Sequence, residues 1–275
     1  MMIPTKTLSD GVEIPQLGFG VFQIPAAETQ RAVEEALAAG YRHIDTAAIY
    51  RNEEAVGAAL AASGIARDEL FITTKLWNSH QGRENAPKAI EESLGKLGLD
   101  HVDLYLIHWP RPALGLQVET WQALQRFKAD GLAREVGVSN YRIEDLELLQ
   151  EAGEPLPAVN QIEIHPYLQQ NELRAWQDEH RMIAEAWSPI AKGAVTEDPA
   201  IGEIAERLGR SPAQVVLRWH LLLGNVVIPK SVTPSRIREN LDIFDFDLTA
   251  EDLERIEALD RGDRTGPDPA EFETA

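Results

Sequence analysis

The sequence predicts an α/β fold, a parallel (β/α)8 TIM barrel with an N-terminal β-hairpin capping one end. Three observations predict it. Short apolar runs alternate with longer stretches of helical periodicity, this unit occurs eight times within 275 residues, and glycine follows several of the helices. Repeated strand–helix units favour a parallel sheet, and eight units in a chain of this length favour a closed barrel over an open sheet.

The elements follow from the N-terminus. Asp10-Gly11 separates two short apolar–polar alternations within 5–14, which indicates the hairpin. The barrel strands are expected at about 16–22, 43–45, 70–75, 102–107, 134–138, 158–161, 181–186 and 225–229. The helices are expected at about 26–39, 53–63, 85–97, 119–129, 143–151, 170–179, 198–208, 212–223, 234–242 and 250–259.

Length and composition favour one domain over residues 1–275. With 44% hydrophobic residues, the chain can bury one large core. Residues 262–275 are rich in Gly, Pro, Asp and Glu, so we expect an irregular tail there. That tail is expected either to reach across the barrel mouth or to stay mobile.

A doubly wound dinucleotide-binding fold is the main structural alternative. Such a fold carries Gly-x-Gly-x-x-Gly at its first strand–helix turn. Gly18-Phe19-Gly20 lacks the third glycine, because position 23 is Gln. A nucleotide cofactor, if bound, is therefore expected to be held by other means.

Composition narrows the classes of function. The formal charge of −19 argues against nucleic acid or an anionic membrane as the principal partner. The chain contains no cysteine, and its seven histidines show no metal-ligand spacing, so we expect no metal site. No apolar run approaches the roughly 20 residues of a membrane helix, and no signal peptide is evident, so a soluble cytoplasmic protein is expected.

Four polar residues follow the ends of predicted strands. Asp45 ends one strand and Tyr50 follows it, while Lys75 and His108 close two later strands. Each has an ordinary interpretation alone, as a helix cap, a packing residue or a solvated side chain. Because the carboxyl ends of parallel strands meet at one face of a barrel, we expect the four side chains to converge in a catalytic site.

Several longer motifs surround these residues. They are Gly-Tyr-Arg-His-Ile-Asp-Thr-Ala at 40–47 with Tyr50, Thr-Lys-Leu-Trp at 74–77, Asp-Leu-Tyr-Leu-Ile-His-Trp-Pro at 103–110, Gly-Val-Ser-Asn at 137–140, Asn-Gln-Ile-Glu at 160–163 and Ile-Pro-Lys-Ser-Val at 228–232. Through these motifs the chain resembles the aldo-keto reductases over about residues 3–262. Within that family it is most similar to bacterial 2,5-diketo-D-gluconate reductases.

The resemblance implies NADPH-dependent, metal-free reduction of aldehydes and ketones, with Asp45, Tyr50, Lys75 and His108 as the catalytic residues. Elementary chemistry agrees. Hydride transfer to a carbonyl carbon produces an alkoxide that needs a proton, and Tyr50 is the expected acid. Lys75 is expected to lower the pKa of the phenol, Asp45 to hold Lys75, and His108 to orient the carbonyl.

The resemblance also implies the binding residues. Ser139, Asn140 and Gln161 match contacts to the nicotinamide carboxamide, and Trp187 matches a ring that stacks on the nicotinamide. The remaining expected cofactor residues are Ser188, Pro189, Lys230, Ser231, Val232, Arg236, Glu239 and Asn240. The expected substrate pocket is lined by Phe22, Trp77, His108 and Trp109.

The leading hypothesis is reduction of small polar aldehydes, dicarbonyls or keto-sugar acids by a monomer. The short loop after Trp109 implies an open pocket mouth. One alternative is a barrel isomerase, which needs a carboxylate base at the substrate carbon. Another is a non-catalytic, NADPH-binding sensor or regulatory subunit on the same fold.

Overall fold

A computed structural model describes residues 3–8 and 11–274, and its centre is an eight-stranded parallel sheet that closes into a barrel. The strands are hydrogen-bonded in sequence order. A parallel bridge between Leu17 and Val227 joins the first and last strands, and the amide of Gly18 donates to the carbonyl of Val227 at 2.8 Å. The predicted barrel is therefore confirmed, and the doubly wound alternative is wrong.

The strands and helices follow the predicted order. The barrel strands are β3 Phe19–Gly20, β4 His43–Asp45, β5 Phe71–Leu76, β6 Val102–Ile107, β7 Ala133–Ser139, β8 Val159–Glu163, β9 Ile183–Trp187 and β10 Val226–Val227. The helices are α1 Ala26–Ala39, α2 Glu53–Ala62, α3 Ala86–Leu97, α4 Gln117–Ala129, α5 Ile143–Glu151, α6 Asn171–Glu179, α7 Pro199–Leu208, α8 Pro212–Leu222, α9 Pro234–Glu239 and α10 Ala250–Glu257. Among the described residues, no helix is long and apolar enough to cross a membrane.

The predicted hairpin is present at the amino end of the barrel. Strands β1 (Thr5–Thr7) and β2 (Glu13–Pro15) pair antiparallel. Leu8 and Ile14 are buried against six apolar residues of the barrel interior. Three of these, Phe71, Val159 and Val226, are the first residues of their strands, and the others are Leu104, Leu106 and Ala158. The hairpin therefore plugs the barrel. Asp10 of its predicted turn lies outside the described residues.

The two closing strands are shorter than predicted. Strands β3 and β10 have two residues each. Just beyond β10, Pro229 has no backbone N–H to donate, so the ladder of hydrogen bonds is interrupted there. A Cβ on Gly18 would lie 2.6 Å from His43 Nδ1, and one on Gly20 would lie 3.0 Å from the carbonyl oxygen of Ile228. These glycines therefore permit close packing at the closure.

Helix α9 ends three residues before the predicted position 242. The side-chain amide of Gln214 donates to the carbonyls of Glu239 and Asp242 at 3.2 and 2.7 Å. These bonds satisfy backbone carbonyls near the C-terminal end of α9, where carbonyls have no partner inside the helix. Arg236, on the first turn of α9, is exposed and lines the cavity at the barrel mouth.

The C-terminal tail contains no helix or strand over residues 262–274, and it reaches across the barrel mouth. The carboxylate of Glu163, at the end of β8, accepts the backbone N–H of Thr265 at 2.7 Å and that of Gly266 at 3.2 Å. Near the end of the tail, the guanidinium of Arg111 donates to the carbonyl of Glu273 at 3.0 Å. The sequence left open whether the tail crosses the mouth, and these bonds show that it does.

Candidate active site

A cavity of about 840 Å³ opens at the carboxyl ends of the barrel strands. Most of the predicted site residues line it. They are Asp45, Tyr50 and His108 of the catalytic set; Phe22, Trp77 and Trp109 of the substrate set; and Ser139, Asn140, Gln161, Trp187, Ser188, Pro189, Lys230 and Arg236 of the cofactor set. The structure therefore brings together residues from widely separated segments of the chain.

Four predicted cofactor residues lie outside the cavity lining. Ser231 accepts the backbone N–H of Thr233 at 3.1 Å, and Val232 is exposed beside it. Glu239 ends α9 and Asn240 is buried directly after it. Their assignment to the cofactor stays a prediction.

Lys75 lies behind the cavity, where it forms an ion pair with Asp45. Its ammonium donates to Oδ1 and Oδ2 of Asp45 at 2.7 and 2.9 Å and to the carbonyl of Thr46 at 2.8 Å. The Lys75 side chain is fully buried. Burial is the largest single effect and would lower its pKa, but the charge of Asp45, the interaction with Tyr50 and the hydrogen bonds to Asp45 together outweigh it, so the net pKa is raised. Lys75 therefore stays charged.

Tyr50 lies on the short 3-10 helix Ala48–Tyr50, directly after β4. The Lys75 ammonium is 5.2 Å from the centre of its ring. Burial raises the pKa of Tyr50 above its ordinary value of 10, whereas the charge of Lys75 lowers it. Lys75 thus acts in the predicted direction, but burial prevails and the net pKa is raised. The phenol keeps its proton near neutral pH, as a proton donor must.

His108 is the second polar group at the cavity floor. Its ring packs edge-on against those of Tyr50 and Trp77, with centroids 5.7 and 5.2 Å apart. Burial, followed by the charge of Lys75, holds its pKa well below 6.5. A neutral imidazole carries one N–H, so His108 can donate a hydrogen bond without adding charge.

A chain of side-chain hydrogen bonds links the predicted carboxamide contacts. The Ser139 hydroxyl donates to the backbone carbonyl of Gln161 at 2.7 Å, and the Asn140 side-chain amide donates to the Ser139 hydroxyl at 3.1 Å. The Trp187 indole N–H donates to Asn140 Oδ1 at 2.9 Å. Asn140 has a left-handed φ of 63°, a conformation that asparagine tolerates better than most residues. These bonds hold the polar groups and the indole ring in one arrangement.

The tail supplies a wall of the cavity that the sequence did not reveal. The Phe272 ring packs against the rings of Trp109 and Trp77, with centroids 4.3 and 6.4 Å apart. The side-chain amide of Asn78 donates to the carbonyl of Thr274 at 2.8 Å and helps to fix this segment. The open mouth expected from the short loop after Trp109 is therefore partly covered.

Two buried carboxylates were also missed. Glu163 holds the tail and accepts a hydrogen bond from His165 at 3.1 Å. Glu185 lies inside the barrel, beside Gln161. For Glu185 the available signal was a carboxylate between two alanines inside the predicted strand at 181–186, whereas Glu163 falls just beyond the predicted strand at 158–161.

Comparison with known proteins gives the family. The model of the Aldo/keto reductase family matches residues 16–261. This chain belongs to that family. An aldo-keto reductase from Mycolicibacterium smegmatis is 51% identical, with 98% of each chain covered. Methylglyoxal reductase DkgA from Yersinia pestis is 53% identical, also with 98% of each chain covered.

Solved structures agree. A mutant of Gox0644, crystallised with NADPH, superposes with a TM-score of 0.95 at 47% identity over 99% of each chain. An aldo-keto reductase from Bombyx mori, crystallised with NADP, gives a TM-score of 0.90 at 37% identity over 97% of this chain and 96% of its own. The predicted resemblance is confirmed: this aldo-keto reductase is an oxidoreductase, and carbonyl reduction is the reaction that its family supports.

Proposed function

We propose that this aldo-keto reductase uses NADPH to reduce small aldehydes and dicarbonyls to alcohols, with Tyr50 as the acid. The observation that carries the proposal is a protonated phenol at the cavity floor, backed by a buried ammonium that Asp45 keeps charged. Bound NADPH supplies the hydride. The residues of this chain supply the proton, the orientation of the carbonyl and the shape of the pocket.

Tyr50 gives its proton to the carbonyl oxygen as negative charge develops there. The phenolate that remains is stabilised by Lys75, whose three hydrogen bonds to Asp45 and Thr46 keep the ammonium fixed behind the ring. His108 donates a second hydrogen bond to the same oxygen. Because these groups are fixed in advance, little reorganisation is needed during the reaction.

The residues that line the cavity fit a nicotinamide cofactor. Ser139, Asn140 and Gln161 present polar atoms on one side, and the Trp187 indole offers a flat surface next to them. We assign the first three to the carboxamide and Trp187 to the ring face.

Two cations support the choice of NADPH over NADH. Lys230 and Arg236 line the cavity, and both are exposed. Neither forms an ion pair within residues 3–8 and 11–274, although most arginines of this acidic protein do. Arginine binds phosphate with two parallel hydrogen bonds, so this pair suits a 2′-phosphate.

The substrate class follows from the walls of the pocket. Aromatic rings of Trp77, Trp109 and Phe272 limit its size, while Tyr50 and His108 form its polar floor. Relatives named methylglyoxal reductase support a small dicarbonyl substrate. Keto-sugar acids remain a second candidate class, because the cavity also contains Lys192.

Among the described residues that line the cavity, Asp45 is the only carboxylate, so the isomerase alternative lacks a free base there. Asp45 is held by Lys75, and Glu163 is held by the tail. A sensor without catalysis would bind NADPH but not oxidise it.

The experiment is a screen of NADPH oxidation with methylglyoxal, simple aldehydes and keto acids. We expect turnover with methylglyoxal and weaker turnover with keto-sugar acids. Tight NADPH binding without oxidation by any carbonyl of the panel would contradict the proposal and favour the sensor.

A further inference from the structure

A second carboxyl group, Glu185, lies inside the barrel below the cavity and has no part in the mechanism above. Its side chain is fully buried. In the pairing of β8 with β9, Glu185 is in register with Gln161, and Val226 of β10 flanks it on the other side. Residues in register on parallel strands point to the same face, so Glu185 and Gln161 both point inward.

Gln161 connects Glu185 to the catalytic ion pair. Its amide nitrogen donates to Asp45 Oδ2 at 2.8 Å and to Glu185 Oε2 at 2.9 Å. An amide NH2 group has two hydrogens, and both are used here. The carbonyl oxygen of the Gln161 side chain is thus the atom left for the cavity, which this residue lines. Asp45 and Glu185 together determine which way the amide faces.

The charges around Glu185 are unbalanced. On β4 it faces Asp45 and also His43, whose Nε2 is 3.6 Å from Glu185 Oε1; burial lowers the pKa of His43 to about 3, so this ring is neutral. Among the described residues, Lys75 on β5 is the cation that lies in the barrel interior near Glu185. Asp45 already neutralises its charge.

An ionised Glu185 would therefore be an uncompensated buried charge. Burial, followed by the charge of Asp45, raises the pKa of Glu185 to about 8. At neutral pH the group keeps its proton, and Asp45 alone balances Lys75. Above about pH 8, the ionised Glu185 adds a second negative charge to the barrel interior. This charge raises the pKa of both Tyr50 and Lys75.

We propose that Glu185 is a positioning residue for carbonyl reduction: its neutral form orients Gln161 and Asp45, and its ionisation in mildly alkaline solution weakens proton donation by Tyr50. The inference rests on the proposed function, because it assigns Tyr50 as the acid. Glu185 positions Asp45 through the two hydrogen bonds of Gln161. When Glu185 is ionised, its charge acts on Tyr50 through the electric field inside the barrel.

The test is the pH dependence of kcat for methylglyoxal reduction by wild type and Glu185→Gln. In wild type we expect kcat to fall about threefold to tenfold as the pH rises through about 8, since one unit in the pKa of an acid changes its proton-transfer rate by at most about tenfold. Glu185→Gln keeps a hydrogen-bond acceptor for Gln161 but cannot ionise. Its kcat at pH 7 should be within about threefold of wild type. Unlike wild type, its kcat should not fall as the pH rises through about 8.

Glu179→Gln is the matched control, because Glu179 is an exposed carboxylate on α6; its profile should follow wild type. A fall near pH 8 that persists in Glu185→Gln would overturn the proposal. Absence of turnover by wild type would instead contradict the proposed function.

A second measurement needs no turnover. The infrared spectrum of wild type minus that of Glu185→Gln should contain the carbonyl stretch of a protonated carboxyl group at pH 7, and this band should disappear with a midpoint near pH 8. A difference spectrum that shows only an ionised carboxylate at pH 7 would overturn the proposal.

Discussion

Lys75 and Asp45 form a bidentate ion pair that is shut off from solvent, with the ammonium 2.7 and 2.9 Å from the two carboxylate oxygens. Lys75 is fully buried and Asp45 is 2% exposed. Removing one partner of such a pair leaves a buried charge, which typically costs about 3–5 kcal/mol. Removal of Lys75 also deprives Tyr50 of its neighbouring cation.

Lys75→Met is therefore predicted to lose most activity and to be destabilised by about 3–5 kcal/mol at neutral pH, as measured by urea unfolding. The double variant Lys75→Met/Asp45→Asn, which also removes the stranded charge, should recover most of the stability and none of the activity. Stability of the single variant equal to that of wild type would mean that Asp45 is readily protonated or hydrated.

Arg236→Ala is predicted to weaken NADPH binding by about tenfold to a hundredfold and to leave NADH binding almost unchanged. A charge-assisted hydrogen bond to the 2′-phosphate contributes roughly 1.5–3 kcal/mol, and the ribose hydroxyl of NADH carries no charge. Quenching of tryptophan fluorescence gives both dissociation constants.

Arg238→Ala is the control for this effect, because Arg238 lies on the same helix but pairs with Glu35 at 3.6 Å. It should bind both cofactors like wild type. Equal losses for NADH and NADPH in Arg236→Ala would mean that Arg236 contacts the adenine and does not distinguish the phosphate.

Phe272→Ala is predicted to raise KM for small aldehydes by about threefold to tenfold, since a truncated ring forfeits about 1 kcal/mol or more of apolar contact in the pocket. Bulkier carbonyls should lose less or gain. Phe272→Tyr keeps the ring against Trp109 and should resemble wild type. An unchanged ratio of kcat/KM for small and bulky carbonyls in Phe272→Ala would exclude the tail from the substrate pocket.

Much of the site could be predicted because strand ends fix position. Asp45, Lys75 and His108 close buried strands of a parallel barrel, and topology alone brings such residues to one face. The contacts of Phe272 could not be predicted, since an irregular tail carries no periodicity that fixes its path. Glu185 and Gln161 meet through strand register, which a single sequence specifies only weakly.

The net pKa of Tyr50 shows the same limit. The sequence gives the identity of the neighbouring cation, and its effect has the predicted sign. The larger effect is desolvation, which depends on how many atoms surround the phenol and so on the complete packing of the barrel.

The pH dependence of stability should reflect Glu185. Its pKa is 4.5 when exposed and about 8 in the fold. Between these values the unfolded chain releases a proton that the folded protein retains, so this group reduces stability as the pH rises from 4.5 to 8.

The free energy of unfolding of Glu185→Gln should therefore equal that of wild type near pH 4.5. It should exceed the wild-type value increasingly up to pH 8, by a few kcal/mol at most. Above pH 8 the difference between the two proteins should be constant. Urea unfolding at several pH values measures this. A stability difference that does not vary between pH 5 and pH 8 would contradict a protonated Glu185 in the fold.

Tyr50→Phe is the most direct test of the central claim that Tyr50 donates the proton. The phenol and phenyl rings have nearly the same shape, so folding and NADPH binding should be preserved. With enzyme in excess, the rate of NADPH oxidation by methylglyoxal in a single turnover should fall at least about a hundredfold, the scale of general acid catalysis. A folded, NADPH-binding Tyr50→Phe protein that reacts at near the wild-type rate would contradict the account.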